Sequence, residues 1–319
     1  MQFSERKHPL VVIVGPTAVG KTEFSITLAR HLNGEIISAD SRSFYKGMEL
    51  GTAKPSEQER SMVPHHMLDI CLPDCVFSLA EFQTLTGRII SEIHAREKLP
   101  FLVGGTGQYI RCVIEGWKIP PQPPLPNLRT VLTAWGDRIG AEELHRKLTV
   151  LDPVAAEFVD SRNMRRTVRA LEVILTTGRL FSELRTKSPP AYDTLIVGLT
   201  RPRADLYHRI DLRIDKIIND GLADEVAGLL AQGYDPDLPS FSAIGYREMV
   251  QVLRDEISLE AAREAMKQRT RIFVRRQANW FKETDPLIHW FDLNVFKASE
   301  VEEFIRQHFE HEKSQDGEE

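Results

Sequence analysis

Cysteine is scarce in this sequence. Only Cys71, Cys75 and Cys112 occur among 319 residues. Three thiols are too few for a disulfide framework, and the odd count fits a reducing compartment. Long apolar runs are absent too. The longest early one, Leu10-Val11-Val12-Ile13-Val14, is far short of the roughly 20 residues that cross a bilayer. The opening MQFSERKH lacks the apolar stretch of a secretory leader. Both absences predict a cytoplasmic protein with no membrane association. No internal repeat or low-complexity tract is visible, which excludes solenoids and fibrous arrays. Nor is there an excess of positive charge: 41 Lys and Arg face 46 Asp and Glu, a net of -5. That balance excludes a uniformly basic nucleic-acid coat, but not a local basic surface.

What is present is an ordinary globular mixture, 42% hydrophobic and 27% charged, enough for one large or two moderate domains. Residues 10–14 form a short, unbroken, β-branched run, the mark of a strand buried on both faces in a parallel sheet. A helical pattern follows from Thr22 to about His31 and stops at Asn33-Gly34. A second strand, 35–39, delivers Asp40. After a helix over 79–97, a third strand, 101–103, ends in Gly104-Gly105-Thr106-Gly107. Strand and helix alternating at this spacing predict an α/β doubly wound domain.

The pattern changes after Gly116. Residues 119–127 hold five prolines in nine positions and read as a stiff connector. From about Leu128 to Leu184 the periodicity is helical throughout, until Ser188-Pro189-Pro190. Strand character returns at 194–199. The expected organisation is a discontinuous core, 1–118 and 192–319, with an all-helical insertion at 119–191. Further helices are expected at 203–219, 221–232, 245–254, 258–283 and 299–311, with a strand at 287–291.

Residues Gly15, Pro16, Thr17, Ala18, Val19, Gly20, Lys21 and Thr22 match G-x-x-x-x-G-K-[ST] in full, after a buried strand and at a helix start. Such a loop points consecutive amides at an anion, Lys21 adds a mobile charge, and the Thr22 hydroxyl suits Mg²⁺. The motif specifies a di- or triphosphate, not its owner. Nucleotide hydrolases usually place a carboxylate at the end of a second strand to help hold the metal. Strand 101–103 has none there. Asp40 is the one acid ending an apolar strand, and it suits a metal helper, a general base or a plain turn residue.

Two stretches are basic and free of acids. One is 161–169, with Arg162, Arg165, Arg166 and Arg169; the other is 267–282, with Lys267, Arg269, Arg271, Arg275, Arg276 and Lys282. Lys267, Arg271 and Arg275 share one helix face, and Met266, Phe273 and Trp280 are expected to face the core. Such stripes suit an RNA backbone, with Gln277, Asn279 and Arg247 available to exposed bases. The acidic balance is largely terminal. Residues 300–319 carry eight acids against Arg306 and Lys313, leaving +1 for the rest of the chain. His65, His66, Cys71 and Cys75 do not make a convincing zinc set, since adjacent histidines diverge and a lone Cys-x3-Cys is common.

Four segments in order, GPTAVGKT, IISADSRSFYKGMELGTAKP, PHHMLDI and LVGGTGQYI, resemble the tRNA dimethylallyltransferases. RRTVRALEV, RIDLRIDKIINDGLADEV, AIGYRE and RRQANWFK agree further on. The resemblance covers about residues 9–292. It implies a P-loop NTPase-like sheet flanked by helices, carrying an inserted helical domain that contacts tRNA. It implies alkylation of N6 of adenosine 37 by dimethylallyl pyrophosphate, with Mg²⁺ at Thr22 and the diphosphate in the Gly15–Thr22 cradle. Asp40 would be the base and Thr106 its orienting neighbour, with Arg209 or Arg213 clamping the diphosphate. Asp40, Ser41, Arg42, Ser43, Thr106, Arg129, Arg165, Arg166, Arg169, Arg247, Arg275, Arg276 and Gln277 would meet the tRNA. The resemblance also implies a monomer. This chain departs from the family pattern at Ser43, usually Gln, at Phe44, usually a small aliphatic, and at Gln108, usually Leu. The competing readings are a small-molecule or nucleotide kinase and a non-catalytic RNA-binding ATPase. A kinase would leave the basic stripes without a purpose, and a switch should carry a carboxylate after 101–103.

Overall fold

The computed structural model describes residues 8–119, 125–184 and 186–315, with side chains through 310. The opening MQFSERK, residues 120–124 of the proline-rich connector and the side chains of the acidic tail lie outside the described residues.

Six strands, β1 (His8–Val14), β2 (Gly34–Ser38), β3 (His65–His66), β4 (Leu99–Val103), β5 (Tyr192–Thr200) and β6 (Ile288–Asp292), form one sheet. Their order is β3-β2-β4-β1-β5-β6. Every pairing is parallel, and β1 lies at the centre in register with Phe101–Val103 of β4 and with Tyr192–Gly198 of β5. Leu10, Val11, Val12, Ile13 and Val14 are all fully buried, as an unbroken apolar run between two helical layers requires. Parallel order puts the loops after β1, β2, β4 and β5 at one edge of the sheet. Ligands bind at this carboxyl edge in open α/β folds.

Two elements are too short or too glycine-rich for periodicity to show. β3 has two residues, and the helix Gly107–Ile114 starts inside what reads as a loop. Its first turn closes where Tyr109 and Ile110 donate to the Thr106 carbonyl at 3.0 and 3.2 Å. The helix expected over 258–283 stops earlier, at Leu259–Ala278.

The chain packs as two compact units. One takes in the described residues up to Phe77, then Phe82–Ile114 and everything from Ala191 on; the other is Ser78–Glu81 with Glu115–Pro190. The second unit is helical and has its own core around Leu132, Leu144, Leu148, Ala155 and Leu171. At its centre Glu172 is fully buried. Its carboxylate accepts from Arg129 at 2.6 Å, Arg169 at 2.8 Å and the Leu125 amide at 2.8 Å. Burial pushes this acid up, but the three donors win and hold it below its ordinary value.

Candidate active site

The phosphate loop is shaped by two glycines. Gly15 has φ +151°, and a Cβ there would lie 2.5 Å from the Leu199 carbonyl oxygen of β5. Gly20, φ +114°, caps the helix Lys21–His31. Four of the loop carbonyls face cationic side chains. Lys21 Nζ donates to Gly15 O at 3.0 Å and Pro16 O at 2.9 Å. Arg209 Nε donates to Ala18 O and Arg201 Nε to Val19 O, both at 2.9 Å. Anchoring these carbonyls leaves the amides of Ala18, Gly20, Lys21 and Thr22 without a partner among the described residues, and such free amides are how an anion nest is made. Burial lowers the Lys21 pKa to about 8, against the pull of Asp40, which raises it. Arg201 escapes sequence reading. Its one signal is its place directly after a buried strand, at the ligand edge of the sheet.

Gln277 ties this loop to its neighbour. Its Oε1 accepts the Thr17 amide at 2.9 Å, and its Nε2 donates to Gly105 O at 3.1 Å. The side chain expected among base-reading residues is therefore a buried strap between two loops.

Asp40 follows β2 in a tight turn. Its Oδ1 accepts the Arg42 amide at 3.0 Å, and its carbonyl accepts the Ser43 amide at 3.1 Å. The other carboxylate oxygen has no hydrogen-bond partner among the described residues. Thr106 Oγ1 accepts the amide of Ser41 at 3.4 Å, so the loops after β2 and β4 meet beside the carboxylate. Arg213 stands close enough for Asp40 to raise its pKa, though burial of the guanidinium lowers it more strongly.

These groups line one cavity of about 570 Å³, with Thr17, Asp40, Thr106 and Arg213 on its polar side. Ile210, Ile214, Ala243 and Met266 form a buried apolar floor. Phe273, Arg276 and Gln108 stand at its exposed rim. The expectation that Phe273 packs in the core fails, since it is 39% exposed and faces the cavity. One anion cradle, one available carboxylate and one apolar chamber thus open on the same space.

A family model described as IPP transferase matches residues 43–284. The chain belongs to the IPP transferase family. A tRNA dimethylallyltransferase of Thermomicrobium roseum is 47% identical over 288 residues, 90% of this chain and 87% of the relative. One from a Roseiflexus species is 49% identical over 274 residues, 86% and 90% of the two chains. Among solved structures, the full-length tRNA isopentenylpyrophosphate transferase of Bacillus halodurans superposes with a TM-score of 0.73 at 40% identity, covering 98% of this chain and 100% of that one. A eukaryotic dimethylallyltransferase acting on tRNA gives 0.76 at 29% identity, covering 89% and 74%.

In this IPP transferase the basic stripes are less free than the sequence implies. Lys267 pairs with Asp215 at 3.2 Å, and Arg271 grips both oxygens of Asp211 at 2.7 and 2.8 Å. Both acids come from the neighbouring helix Arg203–Asn219. Arg269 is bound to the buried Glu248. In the helical unit, Arg129 and Arg169 share Glu172, and Arg162 pairs with Asp160 at 3.1 Å. A stripe free of acids along the chain is not free of acids in space. Of the arginines expected to meet the tRNA, Arg165, Arg166, Arg247, Arg275 and Arg276 are exposed and have no acidic partner among the described residues.

The segment after Asp40 also differs from expectation. Ser43 is 5% exposed and is not presented to a ligand. Phe44 is buried, stacked on Tyr109 at 5.6 Å and Phe82 at 5.8 Å. Arg42 is held by Pro239 O and Ser242 Oγ, both at 2.9 Å. Phe44 sits in this aromatic cluster, and Ser43 beside it lies under the surface. Ser41 remains on the cavity wall.

Proposed function

We propose that this enzyme transfers a dimethylallyl group from dimethylallyl pyrophosphate to N6 of adenosine 37 in tRNA and releases pyrophosphate. The observation that carries the reading is the convergence of the phosphate loop, Asp40 and Arg213 on one cavity with an apolar floor.

The diphosphate occupies the amide nest of residues 15–22, and Lys21 leaves the loop carbonyls to meet it. Arg213 stands on the cavity side and clamps the diphosphate, while Arg209 holds the loop through Ala18. The Thr22 hydroxyl has no partner among the described residues and lies in the first helical turn. One protein hydroxyl beside diphosphate oxygens fits Mg²⁺, which keeps few protein ligands and several waters. Bound there, the ion would neutralise charge on the leaving diphosphate.

The acceptor adenine leaves the anticodon stack at a cost of a few kcal/mol and enters the cavity. Asp40 takes the proton from N6, and N6 bonds to the allylic C1. The C1–O bond breaks, and its electron pair leaves on the diphosphate. Thr106 and the Ser41 amide fix the turn that carries Asp40. The helical unit, through Arg165 and Arg166, and the core, through Arg247, Arg275 and Arg276, neutralise tRNA phosphates. The enzyme works as a cytoplasmic monomer.

The test is to incubate the protein with dimethylallyl pyrophosphate, Mg²⁺ and unmodified tRNA bearing adenosines at positions 36 to 38. Digestion should yield N6-isopentenyladenosine. No product, together with ATP-dependent phosphorylation of a small molecule, would replace this reading with a kinase.

A further inference from the structure

Most polar side chains around the cavity are already committed. Gln277 serves Thr17 and Gly105, Arg42 serves Pro239 and Ser242, and Arg269 serves Glu248. Gln108 is different. It is exposed on the cavity rim, and its carboxamide has no hydrogen-bond partner among the described residues. Its backbone, by contrast, is fixed on both sides. A Cβ on Gly107 would fall 2.3 Å from the Trp280 ring, so the chain lies flush on that indole. Tyr109 is stacked on Phe82 at 4.4 Å and on Phe44 at 5.6 Å. A free carboxamide on a rigid platform is how a site reads a base edge: it offers a donor and an acceptor side by side. Leucine here would offer neither.

We propose that Gln108 reads an unpaired base flanking the acceptor adenosine, and so sets the anticodon-loop preference of this enzyme. The proposal rests on the prenyl-transfer reading. Asp40 and the phosphate loop supply the chemistry on the acceptor, while Gln108, at the rim, meets the base stacked next to it.

The experiment uses anticodon stem-loop RNAs in which the bases at 36 and 38 are changed one at a time. Each is prenylated by wild type, Gln108→Leu and Gln108→Ala. Wild type should favour one base at one of these positions. Both variants should lose roughly 10-fold in kcat/KM on the preferred loop and approach equal rates across the series. The KM for dimethylallyl pyrophosphate should stay unchanged. A merely structural role would lower all loops by the same factor and keep the preference, which would overturn the proposal. So would a wild type indifferent to both positions. A wild type that prenylates none of the loops refutes the transferase reading itself. Gln108 is exposed, and a thermal melt of each variant confirms that folding is intact.

Discussion

Glu35→Gln offers the sharpest test of how the sheet holds the catalytic turn. Glu35 lies near the start of β2 and is 3% exposed. Its carboxylate receives Arg96 at 2.7 Å, His66 at 2.7 Å and Lys98 at 3.0 Å. Burial raises its pKa, but the hydrogen bonds from Arg96, His66 and Lys98 outweigh that and bring it from 4.5 to about 2. A folded pKa below the unfolded one means stability that is present above about pH 4.5 and lost as pH falls toward 2. By linkage the ionised group contributes about 3 kcal/mol at pH 7, about 2 at pH 3.5 and under about 1 at pH 2.5. Glu35→Gln removes this contribution and leaves Arg96, Lys98 and the His66 ring beside a neutral amide. Arg96 and Lys98 are 44% and 31% exposed, so water offsets part of the loss. The expected destabilisation is about 2–3 kcal/mol at pH 7, shrinking as the wild type is acidified. Urea unfolding of both proteins between pH 7 and pH 3.5 measures it. Asp40 leaves the other end of β2, so kcat should change little in the folded variant. An unchanged midpoint at pH 7, or a difference that does not vary with pH, would refute the assignment.

Asp40→Asn should lower the prenyl-transfer rate by about 10²–10⁴-fold while tRNA affinity holds, and single-turnover kinetics with a binding titration separate the two. The Lys21 pKa near 8 predicts that kcat/KM for the diphosphate donor falls above about pH 8 as the ammonium loses its proton. In Lys21→Arg, whatever activity remains should lack that limb, because a guanidinium stays charged. Replacing Arg275 and Arg276 with Ala should weaken tRNA binding and flatten its salt dependence by about one to two in log–log slope. The same double change at Lys267 and Arg271, whose charges Asp215 and Asp211 already meet, should leave that slope nearly unchanged.

The contiguous parts of the candidate site were legible in the chain. Eight consecutive residues shape the phosphate loop, and Asp40 stands two residues after a strand whose apolar run marks it as buried. The five longer strands were legible for the same reason, since a strand covered on both faces needs unbroken apolar sequence, whereas the two-residue β3 was not. The helix Gly107–Ile114 was not, because a glycine-rich start resembles a loop until packing on Trp280 closes it. Nor was Arg201, whose partner Val19 is remote in sequence.

By itself, then, the sequence determined the parallel sheet, the phosphate loop and the carboxylate opposite it, because each is written in neighbouring residues. Tertiary structure decided which charges are free. Arg271 looks like an RNA contact until Asp211 arrives from another helix, and Arg129 and Arg169 close on Glu172. It also turned Gln277 inward to strap Thr17, 260 positions away. Buried amides and carboxylates must be satisfied wherever the fold places them, and the chain records the donors without recording whom they meet.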